Sequence, residues 1–357
     1  ALKINPDFAL TYYNKAKALQ KVNFIEESII NYEKAISLNK NFSEAYQNLG
    51  NIYMDLKILD KSIYNHKKAL KINPGIKFLL GTIIQSKYGM CDWDNFEYES
   101  KFLEKEILGG KKSASPFSTL LIYDSPSLQL KSSNIFLESE FQASNWTKKE
   151  KVRNKKIRVA YYSSDFHNHA TMYLMANLFE LHDKSKFEIY AFSFGPDDNS
   201  QIRKRVIKTF DKFIDVKQKT IKEIVEISRN ENIDIAVDLK GFTKDNRFEL
   251  FIKRCAPIQI SYLGFPGTTG SNCIDYIVAD KIVIPDQNKK YYSENIIYLP
   301  NSYQVNDATL SISEKNFTRK EFGLPENSFV YSCFNNTYKI LPEMFYTWCK
   351  ILDKVKN

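Results

Sequence analysis

The first part of the chain repeats itself at a spacing of 34 residues. The repeated motif appears as Ala1-Leu2-Lys3-Ile4-Asn5-Pro6, as Ala35-Ile36-Ser37-Leu38-Asn39-Lys40 and as Ala69-Leu70-Lys71-Ile72-Asn73-Pro74. A 34-residue period is that of tetratricopeptide repeats, in which each unit is a pair of antiparallel helices. The sequence therefore predicts tetratricopeptide repeats over residues 1–74.

Positions 34 residues apart within the repeats carry matching side chains. Ala16 corresponds to Gly50, which gives a small residue where the two helices of a unit are expected to touch. His66 falls where the preceding unit has Tyr32, so we interpret His66 as a packing residue and not as a ligand. Stable stacks usually need three or more units, so we expect the array to continue upstream of a chain truncated at both ends.

From Ile157 onward the pattern changes to apolar strands that alternate with helices. The predicted strands are Ile157–Tyr162, Phe187–Ser193, Ile233–Asp238, Ile258–Leu263 and Tyr276–Ala279. The predicted helices between them include Met172–Leu181, Ser200–Thr209 and Thr220–Asn230. Strands of this kind belong to a parallel sheet covered by helices on both faces, and ligands bind such sheets beyond the carboxyl ends of the strands.

The predicted organisation is therefore α + α/β, with four parts. After the repeats, residues 75–154 form a helical connector with a short apolar turn at Ser115–Thr119 and a charged linker at Lys148–Lys156. Residues 155–310 form a Rossmann-like lobe. Residues 311–357 begin a second α/β lobe, with a strand at Phe329–Phe334 and a helix from about Pro342 to Val355.

One junction, Ser163–Thr171, follows the first strand and has the composition of an anion site. It carries the titratable residues Asp165 and His169 just before a predicted helix, whose first amides lack intrahelical partners and attract negative charge. The alternative is that Asp165 only caps the helix and His169 lies on the surface. The spacing alone favours neither.

The loop Gly264–Gly270 has three glycines and one proline in seven residues. Glycine allows the backbone to approach a sugar or phosphate closely, although a simple tight turn explains the composition equally well. The loop lacks both the P-loop pattern and the dinucleotide-binding pattern.

Composition excludes several classes of function. The formal charge is +9, but the lysines are scattered, so we do not expect nucleic-acid binding. No run approaches eighteen apolar residues, so we expect no membrane span. The five cysteines form no C-x-x-C pair and the histidines are sparse, which predicts a reducing cytoplasm and no metal site.

Six sequence blocks, in order, resemble the O-GlcNAc transferase family of tetratricopeptide-bearing glycosyltransferases, which includes the plant SPINDLY-type fucosyltransferases and bacterial homologues. The blocks are Arg158–Phe166 with His169, Asp238–Thr243, Ala256–Gln259, Leu263–Thr268, Asp275–Ile277 and Phe334–Ile340.

The resemblance implies a two-lobed GT-B enzyme that inverts the sugar and needs neither metal nor cofactor. The family's usual donor is the nucleotide sugar UDP-N-acetylglucosamine, and its acceptor is a protein Ser or Thr hydroxyl. By motif, the catalytic residues are His169, Asp165 and Lys339, where Lys339 neutralises the leaving diphosphate. The donor and sugar-binding residues implied in the same way are Thr171, Leu263, Gly264, Pro266, Gly267, Asn336 and Tyr338.

The chain also departs from the family pattern. The frequent His-Pro is His169-Ala170 here, and most of the second lobe is not in the sequence, so we expect this fragment alone to be inactive. UDP-glucose and GDP-fucose remain possible donors. The repeats predict a peptide acceptor along their concave face. The alternative function is a non-catalytic scaffold, but retention of Asp165, His169 and Lys339 together favours the enzyme.

Overall fold

The computed structural model describes residues 7–142 and 154–355, and it divides into two compact units. The first contains the residues up to Tyr123 together with those from Asn316 onward, and the second contains Asp124–Lys315. The motif Ala1–Pro6 and all but the last three residues of the charged linker lie outside the described residues. The four predicted domain boundaries stay a prediction.

The elements follow the order that the sequence predicts, helices first and then a sheet with helices. The helices are α1 Ala9–Lys21, α2 Ile25–Leu38, α3 Ser43–Asp55, α4 Leu59–Ile72, α5 Leu79–Gly89, α6 Phe96–Leu108, α7 Pro116–Ile122, α8 Pro126–Glu140, α9 Ala170–Glu180, α10 Gln201–Thr209, α11 Ile221–Asn230, α12 Glu249–Ile252 and α13 Pro342–Lys354. The strands are β1 Ile157–Ser163, β2 Phe187–Ser193, β3 Lys212–Asp215, β4 Ile235–Asp238, β5 Ile258–Ser261, β6 Tyr276–Ala279 and β7 Asn295–Tyr298.

The helices α1 to α4 form the two predicted repeat units. Their shared core is apolar and includes the buried residues Ala16, Tyr32 and Leu49. His66 is fully buried on α4, where Nε2 lies 3.0 Å from Asn51 Oδ1 and Nδ1 lies 3.4 Å from Ser62 Oγ. Burial lowers the pKa of His66 to about 4, so its ring is neutral at pH 7. The packing role predicted for His66 is confirmed.

Two local predictions in the first unit are wrong. Ser115–Thr119 is not a turn, because Pro116 starts α7 and the Ser115 hydroxyl accepts the amide N–H of Ser118. Phe329–Phe334 forms no strand and is exposed instead. A strand needs a neighbour for its backbone hydrogen bonds, and among the described residues from Asn316 onward there is no second strand to supply one.

The second unit is built on a seven-stranded parallel sheet with the order β3-β2-β1-β4-β5-β6-β7. Residues from α9 and α10, including Met175, Phe179 and Val206, cover one face in a cluster with strand residues such as Tyr161. On the other face, the Tyr162 ring contacts Phe251 of α12. The predicted parallel sheet with helices on both faces is confirmed.

The chain order along this sheet reverses between β1 and β4. The chain runs outward from β1 through β2 to β3, then returns to pair β4 with the other side of β1. A crevice opens at such a reversal, beyond the carboxyl ends of the two strands. No helix among the described residues is long and apolar enough to cross a membrane.

Candidate active site

The loops after β1 and β4 meet at this reversal, and each is held by hydrogen bonds between a side chain at the strand end and backbone amides of the loop. After β1, the amide N–H of Asp165 donates to Ser163 Oγ at 2.9 Å. At the end of β4, the buried Asp238 carboxylate accepts the amide N–H groups of Lys240 at 2.8 Å and Gly241 at 3.1 Å. Burial raises the pKa of Asp238 to about 6. These hydrogen bonds fix the backbone positions from which the side chains of Asp165 and Lys240 extend.

The two loops are joined by a buried ion pair. Lys240 Nζ lies 2.8 Å from Asp165 Oδ1 and 3.0 Å from Asp165 Oδ2. The Asp165 Oδ1 atom also accepts the Ser164 hydroxyl at 3.0 Å. The side chains of Lys240 and Asp165 are only 7% and 8% exposed. Burial of such charges is tolerated because each neutralises the other.

His169 is the N-cap of α9. Its Nδ1 atom accepts the amide N–H of Thr171 at 3.2 Å and lies 3.1 Å from the Thr171 hydroxyl. Asp165 Oδ2 is 3.6 Å from the same Nδ1 atom. Burial lowers the pKa of His169; the Asp165 carboxylate opposes this shift and the Lys240 ammonium adds to it.

Asp165, His169 and Lys240 line a cleft of about 520 Å³, and a mostly basic rim surrounds it. The rim includes Lys217 and Arg247. The Arg247 guanidinium is held by the carbonyl groups of Val216, Lys217 and Lys219. An excess of cationic side chains at the carboxyl edge of a parallel sheet suits an anionic ligand.

Two glycines allow the loops of the site to pack closely. A Cβ atom on Gly195 would overlap the Ser164 carbonyl oxygen, and one on Gly264 would overlap the carbonyl oxygen of Leu239. The loop that begins at Gly264 therefore lies directly against the backbone that leads into Lys240. Any larger residue at either position would push the strand ends apart.

The Gly264–Gly270 loop is a shaped structure and not a free turn. Leu263 has φ +65°, and the amide N–H of Gly264 donates to the Tyr262 carbonyl at 2.8 Å, which is the tight three-residue bond of a γ-turn. The buried Glu294 carboxylate accepts the Thr268 hydroxyl at 2.7 Å and the Thr269 amide at 2.7 Å.

The structure brings three of the predicted site residues together, namely Asp165, His169 and Thr171. The predicted sugar-binding residues Leu263, Gly264, Pro266 and Gly267 form the neighbouring loop. Asn336, Tyr338 and Lys339 lie at the 3₁₀ helix Thr337–Lys339, which belongs to the first unit. The functional roles of all ten residues stay predictions.

Sequence reasoning missed Lys240 as a site residue. Lys240 lies in the block Asp238–Thr243 that carries the family resemblance, but the motif implies no role for its side chain. The available signal was a lysine two residues beyond the end of a buried strand, which is an unusual position for a charge without a partner.

Family models match most of the chain. The model described as glycosyl transferase family 41 matches residues 127–314 and 313–357. Two tetratricopeptide repeat models match residues 9–42 and 31–64. These matches agree with the repeat helices and with the sheet unit that follows them.

Named relatives cover the same region. The Arabidopsis thaliana protein named "Probable UDP-N-acetylglucosamine--peptide N-acetylglucosaminyltransferase SEC" is 40% identical over 208 residues, covering 57% of this chain and 21% of that protein. The Caenorhabditis elegans UDP-N-acetylglucosamine--peptide N-acetylglucosaminyltransferase is 31% identical over 154 residues, covering 43% of this chain and 13% of that protein. The chain thus spans about a fifth or less of the length of these two relatives.

A solved structure shares the fold. A mutant of the Thermobaculum terrenum O-GlcNAc transferase superposes with a TM-score of 0.64 at 22% identity, covering 98% of this chain and 61% of that one. The fold likeness, the repeat matches and the family model over more than half of the residues lead to one conclusion. This chain belongs to glycosyl transferase family 41.

Proposed function

We propose that the full-length protein transfers N-acetylglucosamine from UDP-N-acetylglucosamine to Ser or Thr hydroxyls of proteins, with inversion and without a metal. The observation that carries this proposal is the cleft at the β1/β4 reversal, where a basic rim surrounds the buried Asp165–Lys240 pair and His169. The two relatives are named as a probable and a plain UDP-N-acetylglucosamine--peptide N-acetylglucosaminyltransferase, which supports the same donor and acceptor class for this chain.

The chemistry of the transfer supports this assignment. As the glycosyl–phosphate bond breaks, negative charge develops on the leaving diphosphate, and a lysine ammonium stabilises such charge without a metal. We assign this task to Lys339, which is exposed at the end of its 3₁₀ helix. The acceptor hydroxyl attacks the anomeric carbon from the opposite face as the bond to the diphosphate breaks, and we assign its proton to a phosphate oxygen of the donor.

We assign the remaining roles in substrate binding to the cleft residues, to the neighbouring loop and to the repeats. Asp165 and Lys240 line the cleft as a buried ion pair, in which both oxygens of the carboxylate contact the ammonium group. His169 and Thr171 stand at the start of α9, whose first amides add positive potential. The Leu263–Gly267 segment is assigned to the sugar. The repeats are assigned to the acceptor polypeptide.

The test uses the full-length protein with an acceptor peptide and each of three donors: UDP-N-acetylglucosamine, UDP-glucose and GDP-fucose. We expect nucleotide release and a matching mass gain on a Ser or Thr residue only with UDP-N-acetylglucosamine, unchanged by EDTA. Mass gain from another donor, or loss of transfer in EDTA, contradicts the proposal.

Lys339→Ala tests the assigned charge stabiliser, and Lys320→Ala is its matched control. Lys320 is also an exposed lysine in a 3₁₀ helix, Lys320–Phe322. We expect Lys339→Ala to lower kcat by about 10²-fold or more, while Lys320→Ala keeps normal turnover. Near-normal turnover by Lys339→Ala removes Lys339 from the mechanism.

A further inference from the structure

One hydrogen bond to His169 indicates which of its ring nitrogens carries the proton, because a backbone N–H can only donate, whereas the Thr171 hydroxyl at 3.1 Å from Nδ1 can donate or accept. Nδ1 accepts the backbone N–H of Thr171 at 3.2 Å, the bond by which His169 caps α9. A nitrogen that accepts an N–H in this way has its lone pair in use and cannot carry a hydrogen itself. A neutral imidazole holds one proton, so the proton is on Nε2.

A histidine that serves as a general base has the opposite arrangement. Its Nδ1–H donates to a carboxylate, and the bare Nε2 takes the proton from the attacking hydroxyl. The carboxylate near His169 is that of Asp165, but Oδ2 is 3.6 Å from Nδ1, which is too long for a hydrogen bond.

The contacts of Asp165 explain why it does not draw a proton onto Nδ1. Lys240 Nζ contacts both carboxylate oxygens, and the Ser164 hydroxyl donates to Oδ1. The Thr171 hydroxyl lies 3.5 Å from Oδ2. The negative charge that would favour an Nδ1–H tautomer is therefore already neutralised by the buried ammonium.

We propose that His169 acts as a hydrogen-bond donor through Nε2–H, directed at an oxygen of the substrate in the cleft, and not as the general base. Thr171 is the positioning residue that fixes this tautomer through its amide. This inference rests on the proposed function for the identity of the substrate, whereas the tautomer is a property of the protein alone.

The first experiment measures the tautomer without any substrate. The chain has four histidines, so selective ¹⁵N-histidine labelling gives few signals, and the signals missing in His169→Gln identify those of His169. Two-bond ¹H–¹⁵N correlation spectra at neutral pH distinguish a protonated ring nitrogen from a bare one. We expect a bare Nδ1 and a protonated Nε2. A protonated Nδ1 with a bare Nε2 overturns the proposal.

The second experiment measures transfer by the full-length protein with two substitutions that separate the ring nitrogens. His169→Gln places an amide N–H near the position of Nε2–H, but an amide cannot act as a base. His169→Asn keeps a strong helix cap and loses the group at Nε2. We expect kcat to fall by about 10²-fold to 10³-fold in His169→Asn and by less than about tenfold in His169→Gln.

Equal loss of turnover in the two variants overturns the donor role. If the unmodified protein transfers sugar from none of the three donors, the proposed function is wrong. The tautomer of His169 is then still decided by the NMR spectra, which need no substrate.

Discussion

The ammonium group of Lys240 lies 2.8 Å and 3.0 Å from the two carboxylate oxygens of Asp165, across the loops that follow β1 and β4. The two residues are 75 positions apart in the chain. This ion pair links the two loops at the point where the strand order of the sheet reverses. Its partners depend on each other, because either charge left alone would be buried without compensation.

Replacement of Lys240 by methionine tests this dependence. Lys240→Met leaves the Asp165 carboxylate buried without its cation, so we expect the free energy of unfolding to fall by about 3–5 kcal/mol in urea denaturation followed by circular dichroism. The double variant Asp165→Asn with Lys240→Met removes both charges, and we expect it to recover most of this loss. A double variant that is no more stable than Lys240→Met would show that packing, and not charge, dominates.

Replacement of Ala170 by proline is expected to stabilise α9. Ala170 is exposed at the first position of the helix, where proline is favoured, and His169 already has the extended backbone that a following proline requires. We expect a gain of about 0.5–1 kcal/mol in the free energy of unfolding. The matched control is Ala176→Pro in the buried interior of α9, expected to cost about 3 kcal/mol or more. Equal changes in the free energy of unfolding for the two variants would contradict the assignment of Ala170 as the first residue of α9.

Buried His66 makes the stability of the first unit pH-dependent. Its pKa is lowered from 6.5 to about 4, so between these values the unfolded chain binds a proton that the folded chain does not. Stability contributed by neutral His66 is complete above pH 6.5 and is lost as pH falls through 4, by roughly 3 kcal/mol in total.

The measurement for His66 is urea unfolding between pH 4 and pH 7, followed by tryptophan fluorescence, because Trp93 lies in the same unit. His66→Gln keeps hydrogen-bonding groups but does not titrate, so its stability is expected to change less with pH. The same pH slope in both proteins would exclude His66 as the titrating group.

Gly264→Ala is expected to destabilise the second unit. The added Cβ atom would overlap the Leu239 carbonyl oxygen, so the strand ends must separate, at a cost of about 3 kcal/mol. Pro266→Ala in the same loop is the control and is expected to cost no more than about 1 kcal/mol. Hydrogen exchange of the β4 and β5 amides measures both effects. A Gly264→Ala protein with unchanged exchange would refute the close packing of this loop.

The strands were predictable where a nearly continuous apolar run marked them. Phe187–Ser193 and Tyr276–Ala279 have the predicted bounds. The edge strand β3 was missed because its four residues begin and end with charged side chains and are partly exposed. Residues Phe329–Phe334 show the opposite error. Their sequence favours a strand, but no neighbouring strand among the described residues from Asn316 onward is there to pair with it.

The site was predictable only in part, because its central contact is long-range. Asp165 and His169 lie in one continuous motif, and their closeness follows from local spacing. The pairing of Asp165 with Lys240 depends on β4 lying next to β1, which the strand sequences alone do not specify. The hydrogen bond from the backbone N–H of Thr171 to His169 Nδ1 likewise depends on where α9 begins.

The close contact between His66 and Gly50 limits how the repeat units can be exchanged. A Cβ atom on Gly50 would overlap the His66 ring, whereas the preceding unit combines Ala16 with Tyr32 at the equivalent positions. A chimaera that carries α3 with alanine at position 50 and keeps His66 would therefore misfit at the α3–α4 interface. The two repeats share a fold, but their helices cannot be exchanged one at a time. Recombination within the array must therefore keep α3 together with α4 and α1 together with α2.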